Sequence, residues 1–468
     1  MIKITKEDVI WNYAGSILNL GMNVIILPFV LRILSTEELG LWYVFGSISA
    51  LVSLLDFGFS PSIMRNIIYA WSGADKLNKE GTPEMGANMR PNYSLMVNLI
   101  YASKRIYLII ATLAGLLLLF LGTPYIHSLV NYDVNKYLFA WLIYSIAVFL
   151  NLYYSYWNPL LKGIGAIKEA NQVQVISRVI YLVLTILGLS LGGGILWLSI
   201  MYLVSGLLLR IISKFLFERI SNIRDYYKND TDYSSNIKEL LKTIWPNAKK
   251  QGLVTVGAWL ITKSTTLLTS YFYGLDETAQ LGLSLQLYGF IGGFSGLLFN
   301  SYAPEIISLK LGGNFVRFKK LFARTIFIQW IVSIMGCLAV VIVGPFALKI
   351  IGANSSLLPR PILIILGIIL ILEWNHSTFA TLITLTNRVP FLASSLISGV
   401  GIVFLSLLMA KFTDLGVLGL ILSQGIVQIM YNNWYWPRMV CIENETNIYQ
   451  LAKYGLIDVF IIVRRILS

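Results

Sequence analysis

Apolar runs of about 20 residues recur along the chain from Ile10 to Pro437, cut by short polar or glycine-containing breaks. Hydrocarbon about 30 Å thick needs about 20 residues per spanning helix, so the pattern predicts twelve spans. Spans 1–6 fall at 10–31, 38–64, 100–122, 137–158, 170–191 and 194–217. Spans 7–12 fall at 245–272, 279–302, 323–343, 360–384, 389–410 and 415–437. Only the turn Gly192-Gly193-Gly194 separates spans 5 and 6. The fold class read from this pattern is an all-α polytopic membrane protein.

The longest polar stretch, Glu218 to Lys242, divides the spans six and six. The predicted organisation is an N-terminal six-helix lobe at 1–217, a cytoplasmic linker at 218–244, a C-terminal six-helix lobe at 245–437 and a tail at 438–468. The lobes echo each other: span 1 opens IWNYAG at Ile10 and span 7 opens IWPNAK at Ile244. The triplet LGL stands at Leu39 in span 2 and Leu281 in span 8, and Pro61 and Pro304 lie near their ends. Both halves start on the same side, which predicts a parallel pseudo-two-fold repeat about the membrane normal. The tail has a short apolar stretch before Arg464-Arg465 and reads as an interfacial helix with its basic end at anionic headgroups.

Basic residues set the orientation. Segments on the side of the N-terminus collect Lys76, Lys79, Arg90, Lys162, Lys168, the basic residues from Lys214 to Lys242, and Lys310 to Lys320. The opposite segments hold only Arg32, Lys136, Lys349, Arg360 and Lys411, so both termini are expected in the cytoplasm. The same bias accounts for the net charge of +13, and no nucleic-acid partner is read from it. With 56% hydrophobic and 13% charged residues, a soluble domain is excluded. The first run is too long for a signal-peptide core and reads as a span. Cys337 and Cys441 match no metal or redox spacing, so neither a disulfide nor a metal is expected.

No phosphate-binding loop, HExxH or GxSxG motif is present, and the only histidines are His127 and His376. The predicted outside loops are short. A membrane-embedded glycan polymerase or ligase would need catalytic residues on a substantial outside loop. No enzymatic activity and no cofactor are therefore expected.

The informative residues are charges inside spans, which are costly in hydrocarbon unless they face water or a partner. Lys263 lies near the middle of span 7, and Lys249 and Lys250 mark its cytoplasmic entrance. Positions 249, 256 and 263 share roughly one helical face, a cationic stripe that suits an anionic ligand. For Lys249 and Lys250, ordinary inside-flank charge is the competing reading. Glu373 and His376 are three apart on span 10 and share a face. A carboxylate beside an imidazole suits proton binding, since histidine titrates near neutrality; a Glu373–Lys263 salt bridge is the competing reading.

Asp56 and Arg178 lie at similar depths from the cytoplasmic side, in spans 2 and 5, and are expected to pair. The pair serves either to lock the bundle or to handle substrate or protons. Arg65 ends span 2 at the cytoplasmic mouth, as an anion contact or a flanking charge. Tyr153, Tyr154, Tyr156 and Trp157 crowd the inner end of span 4 and read as an aromatic belt, with sugar stacking as the alternative. Asn12, Asn19, Asn23, Gln424 and Gln428 suit cavity lining or interhelical hydrogen bonds.

The segment from Leu34, LSTEELGLWYVFGSISALVSLLDFGFSPSIMRNIIYAWSGA, resembles the corresponding region of Wzx-type polysaccharide flippases. These belong to the multidrug/oligosaccharidyl-lipid/polysaccharide exporter superfamily. The resemblance rests on the pattern E-x-L-G-L-W, D-F-G-F and R-N, and its sharp part covers about 45 residues. It implies two six-helix lobes around a cationic cavity in the bacterial cytoplasmic membrane. It also implies an undecaprenyl-pyrophosphate-linked oligosaccharide cargo, flipped to the outer leaflet for O-antigen or capsule assembly. Lys263, Lys249, Lys250 and Arg65 would then meet the pyrophosphate, and Glu373–His376 or Asp56 would carry a coupling ion. A monomer is expected, working beside membrane lipids, a glycan polymerase and chain-length machinery. A drug/cation antiporter of the same superfamily is the alternative, although it would call for an acidic cavity.

Overall fold

The computed structural model describes residues 11, 21–22, 25–56, 59–75, 90–130, 133–226, 252–311, 314–384 and 390–467. The regular structure among them is helical. Helix α1 occupies 25–33. Ser35 then caps α2 (Thr36–Ser53): its Oγ accepts from the Glu38 amide at 3.1 Å, while Glu37 and Glu38 put negative charge at the positive end of the helix dipole. Helix α2 tightens into a 3-10 turn at Leu54–Asp56, and α3 (Phe59–Trp71) follows. Asn92 caps α4 (Tyr93–Leu117), which passes through a π turn into α5 (Thr123–Leu129). Next come α6 (Val134–Tyr153), α7 (Trp157–Gly163), α8 (Ile167–Ser190) and α9 (Gly194–Ser221).

Beyond 251 the order is α10 (Gly252–Thr262), α11 (Ser264–Phe272), α12 (Gly274–Leu311), α13 (Phe315–Ile342) and α14 (Gly344–Ile351). It continues with α15 (Arg360–Thr384), α16 (Leu392–Phe412), α17 (Val417–Met430), α18 (Asn432–Glu443) and α19 (Ile448–Leu467).

Among the described residues nine helices are long and apolar enough to cross a membrane, and they correspond to predicted spans 2–6 and 8–11. Most of span 1 lies outside the described residues. Spans 7 and 12 are interrupted instead of continuous, at Lys263 and at Tyr431. In the α9 and α16 spans only 22% of the most apolar window is buried within the protein. Such exposed apolar surface would aggregate in water and is stable facing lipid. The chain is a multi-pass membrane protein.

Two compact units share the chain: Met1–Leu34 with Val44–Val256, and Ser35–Tyr43 with Gly257–Ser468. In the first unit Phe45 packs on Trp141 at 5.0 Å, and Tyr107 on Tyr156 at 5.8 Å. The glycine turn between α8 and α9 works because Gly192 takes φ +84°, and because Gly188 leaves room for the Trp197 indole. That indole donates to the Leu184 carbonyl at 2.8 Å. In the second unit the core gathers Phe299, Phe318, Phe322, Phe379, Trp436 and Leu451.

The first eight residues of α2 belong to the second unit, where Tyr43 donates to Gln286 Oε1 at 2.6 Å and Thr36 to the Asn354 carbonyl at 2.9 Å. Both LGL glycines lie in this one crossing of α2 and α12. A Cβ on Gly40 would collide with the Leu275 carbonyl, and one on Gly282 with the Tyr43 ring. Gly40→Ala meets backbone that cannot swing aside, so it is expected to cost about 1–3 kcal/mol. Gly46, on the same helix, has open space around it, and Gly46→Ala is the control. Thermal melts of the purified variants check the difference.

The tail helix α19 lies along α13. Leu451, Gly455 and Asp458 are buried on that face, and Gly455 seats against Ala323 and Phe327. Asp458 meets Lys320 Nζ at 3.0 Å and is hydrogen-bonded by Arg324. Burial pushes this carboxyl up, but the hydrogen bonds and charges of Arg324 and Lys320 outweigh it and hold the group below its ordinary value. A carboxyl held low in the folded state contributes stability above its unfolded value of about 3.9, lost as pH falls through the folded value. Protection of the α19 amides, taken relative to the intrinsic exchange rate at each pH, is therefore expected to be flat from neutral pH down to about 4 and to fall below it. Asp458→Asn should exchange faster at neutral pH and lose the acid dependence.

Candidate functional site

Lys263 stands in the interruption between α10 and α11 with φ −120° and ψ −22°. The interruption falls in the polar run T-K-S-T-T, where the Thr262 and Ser264 hydroxyls bond back to the Ala258 and Leu260 carbonyls. The Lys263 side chain is exposed, and among the described residues it forms no ion pair. The competing Glu373–Lys263 bridge is not formed, because Glu373 is turned to other partners. Lys249 and Lys250 lie outside the described residues, so the proposed stripe is seen only at Val256 and Lys263.

Glu373 and His376 face each other one turn apart on α15, both 8% exposed, with Glu373 Oε1 and His376 Nε2 at 3.7 Å. His376 Nδ1 meets Asn433 Oδ1 at 2.8 Å. With the amide oxygen accepting, Nδ1 is the donor, and Nε2 is the nitrogen that faces the carboxyl. Gln428 Nε2 donates to Glu373 Oε1 at 3.4 Å, and Gln424 also hydrogen-bonds this carboxyl. Asn432 Nδ2 reaches Gln428 Oε1 at 2.7 Å and Ser398 Oγ at 2.9 Å, while Trp436 Nε1 donates to Asn432 Oδ1 at 2.9 Å. Helices α17 and α18 thus meet the buried carboxyl–imidazole pair of α15, and α16 joins the network through Ser398 and Asn432. One proton held by either member leaves the pair neutral, and its departure leaves a buried negative charge facing two glutamine amides. The pair can therefore bind and release a single proton. Among the described residues no cluster of three metal-ligating side chains occurs.

A second cluster lies in the first unit. Asp56 ends the 3-10 turn of α2, where Tyr107 of α4 and the Ser60 amide donate to it. The cation within its electrostatic reach is Arg210 of α9, not Arg178. Arg178, on α8, is half-buried beside Tyr181. The expected Asp56–Arg178 pair is thus replaced by Asp56, Tyr107 and Arg210. Equal depth fixes the height of two residues but not the direction each faces around its helix. Arg210 precedes a run of basic residues that hides it among flank charges; its flanks, LLL and II, mark it as a charge inside the span. Its Nε is buried and has no hydrogen-bond partner among the described residues.

Arg65, on α3, is exposed. In the aromatic group at the inner end of span 4, Tyr153 and Tyr154 are half-buried, but the other two are not belt residues. Tyr156 and Trp157 are 2% and 5% exposed, and Trp157 packs on Phe217 at 5.9 Å within the first unit's core. Gln428 makes the interhelical hydrogen bond expected of it, whereas Asn12, Asn19 and Asn23 lie outside the described residues.

No protein-family model matches the sequence, and no curated protein matches it. Solved structures do. The chain is similar to the lipid II flippase MurJ in its inward closed conformation, with TM-score 0.62 and 14% identity over 98% of this chain and 92% of that one. It is also similar to the inward-facing conformation of a multidrug resistance MATE family transporter of the MOP superfamily. There the TM-score is 0.59 and the identity 15%, over 93% of this chain and 98% of that one. The chain is a membrane protein with the fold that these two transporters share.

Proposed function

We propose that the protein is a flippase that moves undecaprenyl-pyrophosphate-linked oligosaccharides from the inner to the outer leaflet of a bacterial cytoplasmic membrane, driven in part by protons. The observation that carries this reading is Lys263, an exposed cation at a break near the middle of a predicted span. An exposed ammonium at that depth is tolerated only beside water or an anion, and a pyrophosphate supplies the anion. The likeness to a lipid II flippase supports a lipid-linked cargo. Each hydroxyl taken dry into hydrocarbon costs about 4–8 kcal/mol, so the saccharide needs a wet path while the prenyl tail stays in lipid. An interior-negative potential favours anion exit by about 2.3 kcal/mol per charge per 100 mV. Proton entry through Glu373–His376 adds to that drive.

In this reading the cytoplasmic side carries both termini, Arg65 and Lys249–Lys250, where the pyrophosphate enters. Helix α19 rests in the headgroup interface, and Tyr449, Leu456 and Phe460 stand exposed on it. The product feeds O-antigen or capsule assembly beside a glycan polymerase and chain-length machinery. The second reading is a drug/cation antiporter, supported by the likeness to the multidrug transporter. A cationic drug calls for an accessible carboxylate inside the spans; Glu373 is buried and Asp56 half-buried, whereas Lys263 is exposed.

Liposomes containing the protein and a lipid-linked oligosaccharide, with an impermeant glycan-cleaving enzyme outside, test the proposal. Protected substrate is expected to become cleavable in a protein-dependent way, and faster under an inward proton gradient. Transport of a fluorescent drug cation with no saccharide flipping would select the second reading.

A further inference from the structure

We infer that the interruption of span 12 holds a carbohydrate subsite: the exposed rings of Tyr431 and Trp434 form a corner that receives one sugar ring of the cargo. The inference rests on the flippase reading.

The sequence YNNWYW spans the break between α17 and α18. Tyr431 and Trp434 are 38% and 46% exposed. The Tyr431 ring lies flat on Tyr435, with centroids 4.4 Å apart and planes 20° from parallel. Trp434 rises beside it at 6.1 Å and 67°. One supported floor and one wall fit a pyranose, whose C–H face is apolar and whose hydroxyls point outward around its edge.

An interfacial anchor is the ordinary role of exposed tryptophan, and it uses the indole N–H toward the wet side. Here that N–H is turned back onto the Met430 carbonyl at 3.2 Å, so Trp434 offers only carbon to what lies outside. The two residues between the rings point the other way. Asn432 and Asn433 are 4% and 9% exposed, and they hold Gln428, which donates to Glu373, and His376 itself. A sugar seated on the corner therefore touches the turn that supplies two hydrogen-bond partners of the buried network.

The test measures binding of the purified full chain in detergent to three probes. These are undecaprenyl-pyrophosphate-linked oligosaccharide, undecaprenyl pyrophosphate without sugar, and ethidium as a planar aromatic cation. Tyr431→Ala and Trp434→Ala are expected to weaken the glycosylated lipid about tenfold while leaving the sugarless lipid within about twofold. Tyr431→Phe and Trp434→Phe keep the ring faces and are expected to stay near wild type, and matching thermal melts show that each variant is folded. Equal weakening of both lipids would make the rings a lipid contact and overturn the subsite, as would no weakening at all. Selective loss of ethidium would assign the corner to a drug and also overturn it. A wild-type chain that binds neither lipid overturns the flippase reading and the subsite together. A wild-type chain that flips saccharide normally, with variants that do not discriminate, overturns the subsite alone.

Discussion

If the protein is the proposed flippase, Lys263→Ala is expected to abolish most export of lipid-linked saccharide, lowering kcat/KM by about tenfold to about a hundredfold, while the protein folds as before. A charge-assisted contact is worth about 1.5–3 kcal/mol, and each 1.4 kcal/mol is a factor of ten. The side chain is exposed at a helix break and holds no ion pair among the described residues, so its removal leaves no stranded partner in the fold. Lys263→Arg keeps the charge at a different reach and should retain part of the rate. Lys263→Met keeps the aliphatic stem and should be as inactive as alanine. Full activity in the methionine variant would show that the stem matters and the charge does not, and the pyrophosphate contact would fall.

Glu373→Gln is expected to leave export running and to remove its response to a pH gradient. One proton moving down one pH unit supplies about 1.4 kcal/mol, so the wild-type rate should gain up to about tenfold from that gradient. The variant's ratio of rates with and without the gradient should be close to one. Its amide carbonyl can still accept from Gln428, which spares the network around it. The ratio, not the rate, is the readout, because a merely structural role would lower both rates together. An unchanged ratio would place the coupling ion elsewhere, with Asp56 and Tyr107 the next pair to replace.

The helices that sequence reading located well are those whose only requirement is an uninterrupted apolar length. Spans 2–6 and 8–11 meet it. Spans 7 and 12 meet it too, yet both break, at polar runs whose hydrogen bonds hydropathy does not register. The Ser264 hydroxyl bonds to the Leu260 carbonyl beside Lys263, and the amides of Asn432 and Asn433 are drawn into the polar core at Tyr431. The Glu373–His376 neighbourhood was readable because i,i+3 spacing on one helix fixes both height and direction. The partner of Asp56 was not, because two helices can turn any face toward each other at a given height. Burial of Tyr156 and Trp157 was hidden for the same reason: an aromatic cluster at a span end looks alike whether it faces headgroups or Phe217.

The opening turns of α2 belong by contact to the C-terminal unit, although they precede almost all of the N-terminal one in the chain. The protein is therefore not modular at its polar connector. A gene split within 227–251 would give a C-terminal fragment without Ser35–Tyr43, leaving the Gly282 face of α12 bare where Tyr43 belongs. The N-terminal fragment would carry the missing helix start as an unmatched apolar end. Such fragments should be poor at folding separately and much better when co-expressed. Chimaeras that exchange halves with a protein of the same fold should fold only when Thr36–Tyr43 travels with the C-terminal half.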